Sequence, residues 1–316
     1  MRDETPDLDL NLLGLSRQDW LSKVDEIVDE DGYIEPLGRR HNAIFLEKGD
    51  TLLVSFETLQ GIQALSERGQ PLGWDMVRDH GWSHLCLTSS GDTWFRDPAV
   101  YGFFDRLIDD GFFDEFDRVL FYGAGPCGYA AASFSVAAPG AHVLAIQPQA
   151  TLDARLTEWD DRFADMRKFD FTQRYGYAPD MLDAAACAYV IYDPREQLDA
   201  MHAALFTRSN VQKHRMRFMG AALQTDMLEM ETWAPALTAA AEGALTTERF
   251  AKLFRARRDH RPYLRNLLDA LEHEKRAVLI KAICTNVVER IGGRRFQRTL
   301  RLTQRYRSTP IPIDQD

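Results

Sequence analysis

The chain has 316 residues, 45% of them hydrophobic, enough to bury one large core or two modest ones. Its formal charge is −10, and no uninterrupted apolar run approaches the roughly 18 residues of a membrane span. The acidic opening MRDETPDLDLNLLGL lacks the pattern of a secretory signal, and Cys86, Cys127, Cys187 and Cys284 form no C-x-x-C pair, so neither a disulfide frame nor a metal site is expected and a reducing cytoplasm is.

Along the chain, SRQDWLSKVDEIVDEDG predicts a helix with Ser16 as N-cap and Trp20, Val24 and Ile27 on one face. AIFLEKGDTLLVSFET reads as two strands joined in a hairpin at Gly49-Asp50. A helical stretch near 59–79, a buried strand SHLCLTS (83–89) and an amphipathic helix broken at Gly111 follow. Next come the strand RVLFYG, a glycine turn, a small-residue helix and the strand HVLAIQP (142–148). Residues 151–186 read as an irregular, partly helical insertion. CAYVIYDP is a strand ending at Asp193, and NVQKHRMRFMG is the last strand candidate. From about 230 the pattern is helical up to the proline-broken STPIPIDQD.

Charge is distributed unevenly: residues 1–242 hold 21 Lys+Arg against 40 Asp+Glu, and residues 243–309 hold 17 against 6. The basic helices could dock a partner or complement the chain's own acidic part, because their basic residues alternate with apolar ones at helical spacing. Nucleic acid is not the expected partner. Strands alternating with helices over 43–217 predict a mostly parallel sheet covered on both faces. The domains expected are an N-terminal helix (1–30), an α/β domain (31–225) and a basic helical region (226–316).

RVLFYGAGPCGYAAASF (118–134) admits two readings. Gly123, Gly125 and Gly128 fit the G-x-G-x-x-G spacing of a dinucleotide fingerprint, which would make the protein an oxidoreductase using FAD or NAD. That fingerprint wants an acid at the end of the next strand, where Gln147, Pro148 and Gln149 stand, and it usually opens its sheet. Alternatively the stretch is a nucleophile elbow, G-x-S-x-G-G, with Gly125 in place of the serine. An elbow follows a hairpin and further strands, which is the order from 43 to 122.

Residues 90–200 resemble a bacterial α/β-hydrolase-like family found in surface-polysaccharide and accessory-secretion proteins. The resemblance rests on Thr93-Trp94-Phe95, on YGAGPCGYAA against Y-G-S-S-M-G-G-Y-A-A, and on VLAIQPQATLD against V-L-A-x-x-P-Q-x-x-L-D. It implies a three-layer α/β-hydrolase-like fold whose nucleophile position is Gly125. The residue whose amide would donate to an oxyanion is Pro126, which has no N–H. Two losses at one turn imply a degenerate, non-catalytic member. The chain is also similar to bacterial proteins often labelled phosphoadenosine phosphosulfate reductase, but it lacks that chemistry's S-G-G-x-D-S and E-C-G-x-H motifs, and Cys284 lies in the helical KAICTNV.

Residual catalysis would require Cys127 as a thiolate nucleophile at a helix start, making an acyl hydrolase or transferase. Asp193, or Asp199 in its place, would be the acid and His202 the base. Each has a structural alternative: Cys127 as helix–sheet packing, Asp193-Pro194 as a turn, and His202 and His214 as ordinary structural histidines. His80 and His84, either side of Gly81-Trp82, give no metal-ligand pattern. Without catalysis, the expected activity is binding of a small ligand or partner in the crevice at the carboxyl ends of the strands. Phe56, Glu57, Thr58, Trp94, the glycine turn and the Asp193 loop would line it. An anionic group is the ligand expected there, because a glycine turn opening a helix presents backbone amides.

Overall fold

A computed structural model describes residues 8–306. Eight strands form one sheet in the order β1-β2-β4-β3-β5-β6-β7-β8. They are β1 (Gly32–Leu37), β2 (His41–Leu46), β3 (Thr51–Thr58), β4 (Ser83–Ser89), β5 (Arg118–Ala124), β6 (His142–Ile146), β7 (Cys187–Tyr192) and β8 (Val211–Arg215). β1 pairs antiparallel with β2, and β2 antiparallel with β4; every pair from β4 through β3 to β8 is parallel.

The hairpin expected at Gly49-Asp50 does not form. β2 takes β1 and β4 as partners, and the tight turn lies instead between Leu37 and His41. β3 runs nearly continuously buried from Leu52 to Glu57, so it needs a partner on each edge and cover on each face, and it is placed inside the sheet between β4 and β5. The 48–49 turn is tied to the start of β4 instead: the Ser83 hydroxyl accepts from the amides of Lys48 (2.9 Å) and Gly49 (3.0 Å).

Connecting helices are α1 (Arg17–Val28), α2 (Leu59–Leu65), α3 (Trp74–His80), α4 (Pro98–Asp109) and α5 (Pro126–Phe134). The 151–186 insertion carries only the four-residue α6 (Ala154–Thr157) and α7 (Ala178–Met181) besides 3₁₀ turns, and α8 (Gln197–Leu205) follows β7. After β8 come α9 (Leu223–Glu229), α10 (Trp233–Ala241) and α11 (Thr247–Leu253). The Ser16 hydroxyl caps α1 by accepting from the Asp19 amide at 3.2 Å.

Side-chain alternation along the strands sorts two cores. Leu52, Val54 and Phe56 of β3 join Leu85 and Leu87 of β4 in the core under α4 and α5, where Phe56 packs on Phe95, Phe104 and Phe134. Each such fully buried aromatic contributes about 1.5–3 kcal/mol. The opposite face carries Cys86, Ile44 and Leu46 against Trp20, Val24, Ile62 and Trp74 of α1, α2 and α3. The sheet is therefore a middle layer between two helical ones.

The described residues fall into two compact units: one comprises 8–217 and 221–254, the other 218–220 and 255–306. In the first, Trp20, Val24, Ile27 and Val28 of α1 are core residues against the sheet. In the same unit α10 packs on the sheet through Trp233 against Tyr122 of β5. The second unit holds α12 (Arg261–His273), α13 (Ala277–Arg290) and α14 (Arg294–Tyr306) around Leu264, Leu268, Ile280, Cys284, Val287 and Phe296. Part of its basic charge is neutralised internally, by Arg290 on Asp259 (2.5 Å) and Arg295 on Asp269. Among the described residues no helix is long and apolar enough to cross a membrane.

Candidate functional site

β5 turns into α5 at Gly125, whose φ of 57° and ψ of −126° lie where only glycine is unstrained. The Gly125 amide donates to the Ile146 carbonyl at 2.8 Å, and the Gly125 carbonyl accepts from Tyr129 at 3.0 Å. The glycines of this turn have different reasons. A Cβ on Gly123 would lie 2.1 Å from the Cys127 carbonyl oxygen, and one on Gly128 would lie 3.1 Å from the carbonyls of Gly123 and Ile146. Those two positions let helix and strand approach. A Cβ on Gly125 would meet nothing within 4 Å. Space for a side chain stands open at the apex of the turn.

Pro126 occupies the first position of α5, where its fixed φ suits the helix and its missing N–H is no loss to it. The same absence removes the amide that would face an oxyanion. A cavity of about 290 Å³ lies above the turn, lined in part by Gly125, Pro126, Gln147, Gln149, Arg162 and Asp199. Gln147 has φ 48°, a strained value for a residue other than glycine. Its amide nitrogen donates to Asp199 Oδ2 (2.7 Å) and its oxygen accepts from the Leu223 amide (3.2 Å). Gln149 is 3% exposed, and its Oε1 is buried with no hydrogen-bond partner.

Arg162 is gripped by two carboxylates, Asp160 at 2.8 Å and Asp199 at 2.7 Å. Burial alone would raise the Asp160 carboxyl; hydrogen bonds from Arg162 and His202 outweigh it and hold the group below its usual value. The Arg162 charge is thus already met by carboxylates, Asp199 of the lining and Asp160 behind it, and Pro126 supplies no amide. The lining therefore has little to offer the anion expected from the sequence.

His202 and Asp199 are both on α8, but only Asp199 reaches the cavity. The His202 ring is fully buried: Nε2 bonds Asp160 Oδ2 at 2.9 Å, and Nδ1 accepts from the Ala150 amide at 3.1 Å. An accepting Nδ1 fixes the proton on Nε2, so neither nitrogen is left to take a substrate proton. Burial holds the imidazole below its ordinary value despite the neighbouring Asp160. This ring staples the insertion to α8.

Asp193 directly follows β7 and is fully buried; its Oδ1 accepts from the Arg195 amide at 2.9 Å and its carbonyl from the Glu196 amide at 3.1 Å, the bonds of a turn. Cys127 is half-buried on α5, packed against the aromatic core, and burial pushes its thiol well above the ordinary range, with the Glu57 and Asp92 charges adding to the effect. No described imidazole is hydrogen-bonded to it. His214, within β8, stacks between Tyr189 and Phe250 and bonds the Leu245 carbonyl at 2.9 Å.

The other crevice residues expected from sequence lie apart from the cavity. Phe56 is core. The Thr58 hydroxyl caps α2, accepting from the Gly61 amide at 2.9 Å. Trp94 packs on Tyr129, Phe163 and Phe171. Glu57 points to the opposite core face, where it meets Ser55 and Cys86. Conversely, Gln147, Gln149, Arg162 and the segment 221–225 line the cavity without having been singled out. Gln147-Pro148-Gln149 carried a usable signal, a polar break directly after a buried strand; Arg162, inside the irregular insertion, carried none.

A mostly parallel eight-stranded sheet with helices on both faces and a glycine elbow between β5 and α5 is an α/β-hydrolase-type fold. No family model matches the chain, and no curated protein matches it. Among solved structures it is similar to the esterase Pf2001 of Pyrococcus furiosus, at 12% identity and TM-score 0.47, over 75% of this chain and 98% of that one. It is also similar to the capsule O-acetyltransferase of Neisseria meningitidis serogroup A, at 10% identity and TM-score 0.44, over 66% and 93%. A third similar structure is MGS-MChE2, an α/β hydrolase from a lagoon-sediment metagenome, at 10% identity and TM-score 0.42, over 67% and 99%. Strand order and the elbow, not these distant likenesses, define the fold.

Proposed function

We propose that this protein is a non-catalytic α/β-hydrolase-fold protein that binds a small, polar, uncharged or weakly cationic ligand in the cavity above Gly125. The observation that carries the reading is the open apex. A side chain would fit at residue 125 and none is there, while the adjoining Pro126 has no amide to give and His202 has both ring nitrogens engaged. Acyl transfer needs a nucleophile, a base in reach and oxyanion donors, and all three are lacking at this turn. The volume, about 290 Å³, suits a ligand of roughly one ring. The unpartnered Gln149 Oε1, together with an Arg162 already held by two carboxylates, favours hydroxyl or amine groups over a carboxylate.

A dinucleotide reading of the same glycines is less well supported. The turn follows the fifth strand, and directly after the next strand stands Gln147, which is engaged with Asp199 where the fingerprint would present an acid to a ribose.

The test has two arms. The purified protein should hydrolyse no p-nitrophenyl ester above buffer, and neither fluorophosphonate nor acyl probes should label it. In a thermal-shift panel of polyols, amines, flavins and nicotinamides, a polyol or amine should raise Tm, and Ala222→Trp at the cavity wall should abolish that rise. A shift given only by a flavin or nicotinamide, or Cys127-dependent acyl labelling, would overturn the proposal.

A further inference from the structure

The polar core face beneath β3 and β4 holds a cluster that the elbow does not use. Ser55 and Glu57 of β3 and His84 and Cys86 of β4 project together, in strands whose register pairs Ser55 with Cys86. All four are buried, with Ser55, His84 and Cys86 at 0% exposure. One ligand atom each from Glu57, His84 and Cys86 lies within 4.8 Å of the other two. Ser55 Oγ stands 2.8 Å from both Glu57 Oε1 and His84 Nε2, Cys86 Sγ is 3.5 Å from the same carboxylate oxygen, and the Leu72 amide donates to Oε2 at 3.1 Å.

As a set of organic groups the cluster is unbalanced. A buried carboxylate calls for a cation, yet among the described residues no lysine or arginine pairs with Glu57. Protonating Glu57 removes its charge but not the other defect: His84 Nδ1 is buried with no hydrogen-bond partner. The Ser55 hydroxyl donates to Glu57 and can accept from a protonated His84 Nε2, which leaves Nδ1 as the unprotonated nitrogen with a lone pair and no donor facing it. Sulfur, imidazole nitrogen and carboxylate oxygen are together the donor set of zinc.

We propose that Glu57, His84 and Cys86 form a buried structural zinc site, with Ser55 Oγ adjacent to complete it. Zinc binds the Cys86 thiolate, the neutral His84 imidazole and the Glu57 carboxylate. The thiol and the carboxylic acid each release a proton to solvent, and the charges of Zn²⁺, one thiolate and one carboxylate sum to zero. Such neutrality is what a dry site between α3 and the sheet requires. With Zn–S of about 2.3 Å and Zn–N or Zn–O of about 2.0–2.2 Å, two donors of one ion lie about 3–4 Å apart, so zinc draws the three ligand atoms closer than their present limit of 4.8 Å. Gly73 fits the same picture, since a Cβ there would lie 2.2 Å from His84 Nε2 and leave the imidazole no room. Because the thiol and the carboxylic acid must lose their protons to bind, zinc binding weakens in acid.

Ser55, His84 and Cys86 are fully buried, so zinc is expected to enter while the chain folds. The full chain is therefore refolded with and without zinc, dialysed, and its metal measured by elemental analysis. The expected result is about one zinc per chain, a higher Tm than the chelator-refolded protein, and about two protons released per zinc. His84→Ala and Cys86→Ala should each retain under about a tenth of that zinc, whereas Cys284→Ser, in the other unit, should retain all of it. Cobalt-refolded wild type should show a thiolate-to-cobalt charge-transfer band that Cys86→Ala lacks. If either alanine variant does not fold, the wild-type measurement decides. Folded wild type with less than about a tenth of a zinc per chain and no cobalt–thiolate band would overturn the proposal, as would zinc that stays in the folded alanine variants.

Discussion

The turn at Gly125 and the network around His202 are opposite cases. In the proposed reading, the turn keeps the backbone of a reactive site without its groups: there is open space at residue 125, and residue 126 is a proline without an N–H. The network has the residue types of a reactive site, His202, Asp160, Arg162 and Asp199, and every bond among them holds structure in place. Catalytic competence therefore belongs to a free valence in the right position, not to a residue type or to a backbone shape.

The strongest way to break the comparison is Gly123→Ala. If the elbow is built as described, the new methyl meets backbone atoms that cannot yield, Cys127 O at 2.1 Å and Gly128 N at 2.8 Å. The expected loss is about 4 kcal/mol or more, read as a large drop in the denaturant midpoint or as no folded protein. A variant as stable as its parent would mean that helix and strand do not approach there.

Next in size is His202→Ala, which leaves the Ala150 amide and one bond of buried Asp160 without partners. The expected loss is about 3 kcal/mol, in urea unfolding followed by fluorescence. Because the ring does not reach the cavity, ligand-induced Tm shifts should survive in whatever fraction folds. Loss of ligand response at unchanged stability would turn the network into a functional one.

How much of this the sequence makes legible follows from range. Local signals carry β4, α4, the break at Gly111 and the elbow, because a glycine turn or a helical period is written within a dozen residues. The Gly49-Asp50 turn misleads because a hairpin signal is local, whereas the insertion of β4 between β2 and β3 is decided by burial on two faces. In the site, Gly125 and Pro126 speak for themselves. His202 looks like a base until Asp160, 42 residues earlier, is seen to hold its Nε2. Gln149 and Arg162 are ordinary residues in the sequence and become cavity walls only through the fold of the insertion.

The comparison can be sharpened with pH. Histidines that do chemistry titrate near neutrality, whereas His41 is buried beside Thr93 (2.7 Å), and burial, opposed by Asp97, lowers it to about 4. A folded value below the unfolded one of about 6.5 means full stability above that pH and loss as pH falls toward 4. The slope from this one group approaches about 1.4 kcal/mol per pH unit between those values. His41→Gln should flatten the acid side of the stability profile by that amount, measured by denaturant midpoints from neutral to acid pH. An unchanged profile would mean that His41 titrates alike in the folded and the unfolded chain.

The smallest structural effect and the most informative outcome belong to Gly125→Ser. With nothing within 4 Å of its Cβ, the serine is accommodated, and the φ of 57° costs about 1 kcal/mol. The hydroxyl then stands where a nucleophile would. It still faces no base, because both nitrogens of His202 are engaged, and no oxyanion amide from Pro126, a donor whose loss alone typically costs about 10²–10³ in rate. No turnover of p-nitrophenyl acetate above the parent is expected. Adding Pro126→Ala restores the amide but not the base, so the double variant should at most be slowly acylated without turning over. Steady hydrolysis from the single variant would require a base in reach of residue 125, and the distinction between the empty turn and the fully bonded network would fall with it.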